Sequence, residues 1–143
     1  MTFLVAFGVF VLDRLTKIAI VNNFSYGQSV DILPKIFNLT LVFNTGTAFG
    51  LVKGQNAVLA VFAAIIITVI TIYVLTNKNL TLKISLPLGL ILGGALGNLF
   101  DRVRFGHVID FLDFQIWPVF NAADSAITIG VIILTLFLCI RSS

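Results

Sequence analysis

The 143-residue chain contains no glutamate, one histidine and one cysteine, and only 10% of its residues are charged. Each shortage removes a class of function. A lone Cys139 permits neither an internal disulfide nor a cysteine-based metal cage. His107 by itself leaves too few ligands for a zinc site, so neither a metal nor a cofactor is expected. Six aspartates are the whole acidic complement, and the formal charge of +3 reflects few acids more than a basic patch. No run of Lys or Arg is present to neutralise successive phosphates, which argues against nucleic acid as a partner. Hydrocarbon takes the place of charge: 59% of residues are hydrophobic and the mean hydropathy is +1.11. Soluble domains run at roughly 45 to 50% apolar and about 25% charged. The composition therefore predicts an integral membrane protein, in one domain over residues 1–143.

Four stretches have about the length a bilayer requires, roughly 20 residues: 3–21, 57–76, 84–103 and 122–140. The first competes with a cleaved signal peptide, but the basic start and small-residue cleavage site are missing, and it reads as a retained helix. Within it Asp13 and Lys17 stand at i, i+4. Two readings apply, a self-satisfied ion pair near a membrane face or a support for a site. Gly93-x-x-x-Gly97 in the third stretch removes side chains where another helix can approach closely.

Segment 22–56 is more polar, and Leu39-Thr40-Leu41-Val42-Phe43 has the β-branched and aromatic content of a short strand between Pro34 and Gly46. A small sheet outside the hydrocarbon fits. Asn44-Thr45-Gly46-Thr47-Ala48-Phe49-Gly50 reads first as a turn, and second as a means of presenting Asn44 to a ligand. Lys78, Lys83 and Arg141 crowd the short-loop side, whereas Lys35, Lys53 and Arg104 are spread over two longer segments. Positive-inside then makes the 77–83 connection and both termini cytoplasmic, with 22–56 and 104–121 extracytoplasmic. The expected fold is membrane all-α, four transmembrane helices with a small extracytoplasmic β-sheet between helices one and two.

Against this apolar background, Gly93 to Asp124 holds four of the six acids and the only histidine. A carboxylate at membrane depth costs roughly 2.5 to 3.5 kcal/mol even on a forgiving scale, so the cluster requires a reason. Asn98, Asp101, Arg102 and Phe105 fall at i, i+3, i+4 and i+7 on one helical face. Gly106 to Phe111 follows as an extended piece, and Phe120-Asn121-Ala122-Ala123-Asp124 opens the next helix. Two helix ends and a short connection are thus expected to bring Asp101, Asp110 and Asp124 together.

A Ser-His-Asp triad is excluded, because His107 has no plausible partner pattern. A Ser-Lys pair fits poorly, since Lys17 is matched with Asp13 and no serine stands in a nucleophile turn. Carboxylates remain: two aspartates held close and partly desolvated share a proton, one acting as base on a water and the other as acid. Asn121-x-x-Asp124 also has a simpler reading as a helix cap, with Asn121 at the N-cap and an acid in the first turn. Capping explains neither Asp110 nor the polar face of the preceding helix. A small oligomeric channel or proton-relay subunit is the alternative class, and it predicts polar residues along the length of a helix. The charges here gather at one end instead. A purely structural or lipid-binding protein would leave Asp110 and Asp124 replaceable.

Five blocks in order cover nearly the whole chain: Asp13-Arg14-Leu15-Thr16-Lys17, Asn44 to Phe49, Gly93 to Arg102, Gly106 to Phe111 and Phe120 to Asp124. Together they resemble the blocks of bacterial lipoprotein signal peptidase, signal peptidase II. The resemblance implies a monomeric aspartic endopeptidase of the bacterial inner membrane, without a cofactor. It would cleave the signal peptide from prolipoproteins just before a diacylglyceryl-modified cysteine, with membrane lipid as its surroundings. It also implies Asp110 and Asp124 as the catalytic pair and a small extracytoplasmic sheet as a substrate cradle. Asn44, Asn98, Arg102 and Asn121 are implied around the substrate, and Asp13, Lys17 and Asp101 in the framework. The chain starts almost inside its first helix, and the segment between Asp110 and Asp124 is shorter than in many relatives.

Overall fold

The computed structural model describes residues 1–46 and 55–142. Its elements run α1 (Thr2–Asn23), β1 (Ser29–Leu33), β2 (Phe37–Asn44), α2 (Asn56–Thr76), α3 (Leu82–Phe105), β3 (Val108–Asp113) and α4 (Ala122–Ser142). Thr47 to Gly50 of the expected turn, and Lys53, lie outside the described residues.

The other three helices pack on α3. Glycine explains how closely. A Cβ on Gly89, Gly93 or Gly97 would lie 2.7 Å from Thr2 O, 2.5 Å from Ala6 O and 2.6 Å from Asp13 Oδ2 respectively, so this i, i+4, i+8 stripe is where α1 rests. Gly94, one position round the helix, serves α4 in the same way, its Cβ falling 2.5 Å from Ala123 O. The Gly93-x-x-x-Gly97 spacing therefore belongs to a longer stripe against α1, with a second contact turned towards α4. Large side chains would hold both helices too far off for their polar groups to meet.

Apolar side chains also cover the outside. Leu4, Val58, Phe62, Val103 and Ile129 are exposed, and α2 buries only Ile70. Holding such side chains in water forgoes about 1.5 to 3 kcal/mol each, so this surface suits lipid. Among the described residues three helices, Asn56–Thr76, Leu82–Phe105 and Ala122–Ile140, are long and apolar enough to cross a membrane. In α1, Asp13 and Lys17 are buried and Arg14 is largely so, leaving apolar residues on its outer face.

The sheet is antiparallel in the order β1-β2-β3. Two strands come from the segment between α1 and α2, but the third comes from between α3 and α4. The sheet is therefore not confined to the connection between helices one and two, because the extended piece predicted at Gly106–Phe111 is a strand. The physical reason is the open edge of β2, whose backbone groups β3 satisfies. Pairing sets Phe43 opposite Ile109 and Val42 opposite Asp110. Leu41, Ile109 and Phe111 pack on Ile20, with Phe24 alongside, which seats the sheet on the C-terminal end of α1. Asp110 is thereby held by a strand at the level where α3 ends and α4 begins.

Candidate active site

α3 ends in a left-handed cap at Gly106, φ 76°, a conformation glycine adopts without strain. The chain reverses there into β3, which carries Asp110. α4 opens with a reciprocal cap: Asp124 N donates to Asn121 Oδ1 at 2.9 Å, and Asn121 N donates to Asp124 Oδ2 at 3.2 Å. The capping reading of Asn121-x-x-Asp124 is thus realised. It leaves the other Asp124 oxygen free for a different partner, and Asn98 Nδ2 donates to it at 2.7 Å.

Asn121 ties the two carboxylates together. Its Nδ2 donates to Asp110 Oδ1 at 2.6 Å while its Oδ1 caps Asp124. Asp110 Oδ2 accepts from Asn44 Nδ2 at 2.9 Å, and Gly46 N donates to Asn44 Oδ1 at 2.9 Å. Asn44, the last residue of β2, therefore belongs to a turn and also contacts Asp110. Burial pushes the Asp110 carboxyl up to about 6, assisted by the neighbouring charge of Asp124 and opposed by the Asn44 and Asn121 hydrogen bonds and by Lys17.

A second group of charges lies beneath, with Asp13, Lys17 and Asp101 fully buried and Arg14 partly so. Lys17 Nζ stands 3.0 Å from Asp13 Oδ2 and 2.7 Å from Asp101 Oδ2. Arg14 reaches the same two acids, at 2.8 Å to Asp13 Oδ2 and 2.6 Å to Asp101 Oδ1. Two cations against two anions make the cluster neutral, the condition for burying it at all. Each acid also grips the backbone beside the upper pair: Ile109 N donates to Asp101 Oδ2 and Ala123 N to Asp13 Oδ1, both at 3.2 Å. Those are the residues immediately before Asp110 and Asp124.

Asp124 also borders an apolar cleft of about 490 Å³ lined by Phe114, Trp117, Phe120, Thr128 and Ile129. Other grooves, of about 340 and 620 Å³, run along α1 and α3 away from the carboxylates and hold no acidic side chain. A buried Asp110 linked to a partly buried Asp124 that borders an apolar cleft can do acid–base chemistry on a bond presented from lipid.

A family model described as signal peptidase (SPase) II matches residues 5–140. The chain belongs to the signal peptidase II family. It is similar to the lipoprotein signal peptidase of Halothermothrix orenii, 41% identical over 138 residues that cover 96% of this chain and 94% of that one. It is 48% identical to the lipoprotein signal peptidase of Moorella thermoacetica over 134 residues, covering 92% and 87%. Two solved structures described as bacterial membrane enzymes determined by the in meso method are similar to it, each at 33% identity. Their TM-scores are 0.90 and 0.86, covering 99% and 96% of this chain and 89% and 91% of theirs.

In this signal peptidase II chain the polar face expected on α3 divides. Asp101 turns to α1, Asn98 turns to α4, Arg102 is half-buried and Phe105 is exposed. Asn44 and Asn98 commit their amide nitrogens to Asp110 and Asp124. Arg102 keeps donors in reserve: Nη1 makes one long bond, 3.4 Å to Asn98 O, and Nε is buried without a partner. Arg14 was missed by sequence reasoning as a site residue. The i, i+4 rule pairs Asp13 with Lys17 and is silent on a neighbour one position away, although Arg14 lies in the same block.

Proposed function

We propose that this chain is an aspartic endopeptidase which cleaves the signal peptide from diacylglyceryl-modified prolipoproteins just before the lipidated cysteine. Membership of the signal peptidase II family supports the substrate class. The observation that carries the chemistry is the Asn121 bridge, one side chain bonded at once to Asp110 and to the cap of Asp124. A pair so linked, and partly desolvated, holds one proton between two carboxylates.

The ionised carboxylate takes a proton from a water as its oxygen attacks the carbonyl carbon of the scissile bond. The protonated carboxyl gives its proton to the carbonyl oxygen, and a tetrahedral diol forms. Collapse of the diol breaks the C–N bond, with one proton passing to the departing nitrogen, so the pair returns to its single shared proton. Arg102, with donors in reserve, holds a substrate carbonyl near the pair. Asn44, Asn98 and Asn121 orient the carboxylates, and Asp13, Lys17 and Asp101 support them from below.

In the membrane the proposal places all four helices as spans, α1 included, with both termini cytoplasmic and the sheet and carboxylates at the outer face. The lipid-suited exterior of α1 and the density of Lys78, Lys83 and Arg141 support this orientation. The enzyme works as a single-domain monomer on a substrate arriving sideways through lipid. Purified Asp110→Asn and Asp124→Asn variants, assayed on a diacylglyceryl prolipoprotein, are expected to lose cleavage by about 10²- to 10⁴-fold or more while still inserting and folding. Near wild-type turnover in either variant overturns the pair mechanism.

A further inference from the structure

The buried charges beneath the carboxylates have a hydrogen-bond polarity that reaches the pair. Lys17 Nζ has three hydrogens and meets three acceptors: Asp13 Oδ2 at 3.0 Å, Asp101 Oδ2 at 2.7 Å and Asn98 Oδ1 at 3.1 Å. Asn98 Oδ1 also accepts from Asn121 Nδ2 at 3.2 Å. With two donors facing its oxygen, the Asn98 amide has one orientation open to it, and its nitrogen must face Asp124. Turning the amide over would set its NH₂ against an ammonium and a second NH₂, and its oxygen against a carboxylate. Asn121 is oriented in turn, by Asn98 on one side and by the Asp124 backbone N–H on the other. Each amide then turns one N–H to a carboxylate, Asn98 Nδ2 to Asp124 and Asn121 Nδ2 to Asp110.

We infer that Lys17 is a positioning residue for cleavage: by donating to Asn98 Oδ1 it sets the direction of the Asn98 and Asn121 amides, so that each presents an N–H to one member of the pair. The inference rests on the assignment of Asp110 and Asp124 as the reacting carboxylates. It assigns the only hydrogen of Lys17 not used in neutralising the cluster. The charged groups around this relay, among the described residues, are Asp13 and Arg14 on α1, Asp101 and Arg102 on α3, Asp110 on β3 and Asp124 on α4. Lys17 is the cation bonded to the relay itself, whereas the ion pairs of Arg14 go to the two acids.

Removing Lys17 alone leaves two buried acids facing one arginine, and the protein can fail for that reason only. The test therefore uses the charge-matched double variant Lys17→Met/Asp13→Asn beside Asp13→Asn alone, with cleavage of a diacylglyceryl prolipoprotein followed from pH 5 to 8. Loss of one hydrogen bond to a charged network predicts a fall in kcat of roughly 10- to 100-fold in the double variant with KM within about twofold. Its pH–rate profile moves to higher pH, since the carboxylates lose a nearby cation. Asp13→Asn alone keeps the Lys17 bond to Asn98 and supplies the profile against which that shift is read. Identical profiles for the two variants overturn the inference and leave Lys17 a structural residue. If the double variant does not insert, Asn98→Leu decides: it removes the amide acceptor of Lys17 and the donor to Asp124 together without adding a charge, so its profile must move the same way, and an unchanged one overturns the inference. Absence of cleavage by the wild type would instead remove the peptidase reading itself.

Discussion

Asp110 is buried, held by Asn44 at the end of β2 and by Asn121 at the start of α4. Its carboxyl is pushed up to about 6, first by burial. The proposed pair works with one shared proton, and Asp110, raised by burial and by the charge of Asp124, is the member that keeps it, so kcat is expected to fall as pH rises through about 6 and that proton is lost. A kcat profile flat from pH 4.5 to 8 would contradict this. Stability moves the same way. A carboxyl raised above its ordinary 3.8 favours the fold fully below that value, and the contribution is lost as pH rises through about 6. Asp110→Asn should therefore flatten the dependence of Tm on pH across that window. The identity of Asp110 and Asp124 as candidates was legible in the sequence, because acids are scarce and these two stand beside helix and strand boundaries. Their partners were less so, since the bonds from Asn44 and Asn98 cross 66 and 26 positions of chain.

At the scale of elements, the glycine stripe of α3 decides how near α1 can bring its charges. A methyl group on Gly97 would lie 2.6 Å from Asp13 Oδ2, inside the carboxylate that Lys17 and Arg14 share. Gly97→Ala is expected to destabilise the protein by about 1 to 3 kcal/mol, the usual cost of overpacking. A lowered Tm in detergent would register it, and an unchanged Tm would mean that α1 can shift without loss. The helices were readable from length and hydropathy, to within a few residues at their ends. α3 runs to Phe105 and α1 begins at Thr2, since helix ends depend on local caps such as Gly106 more than on apolar content. The β2 strand was readable from Leu39 to Phe43. β1 was not, being a short exposed strand with little pattern, and neither was the pairing of β3, which joins segments far apart in sequence.

For the whole molecule, the cleft beside Asp124 is apolar and the surface around the helices is suited to lipid. On the proposed function, a substrate cysteine carrying acyl chains would be anchored at the interface by about 0.8 kcal/mol per buried CH₂, which would set the depth at which its peptide bond meets the carboxylates. Lipidated prolipoprotein should therefore be cut whatever the residues before the cysteine, at rates differing by about tenfold or less, and the unlipidated form should remain intact even when concentrated. Efficient cleavage of unlipidated peptide by the wild-type enzyme would show that depth is not what selects the bond.

Sequence alone determined the membrane class, the helical segments and the family, and it singled out Asp110 and Asp124 as candidates. Composition and local spacing carry that information, and neither depends on which helix meets which. Tertiary structure decided that Asp101 belongs with α1 and Asn98 with α4, that the third strand closes the sheet, and that Arg14 completes a neutral buried cluster. The physical reason is that a buried charge or amide is satisfied by whichever partner the packing delivers. On α3 those partners are set by a glycine stripe against α1 and a second close contact with α4.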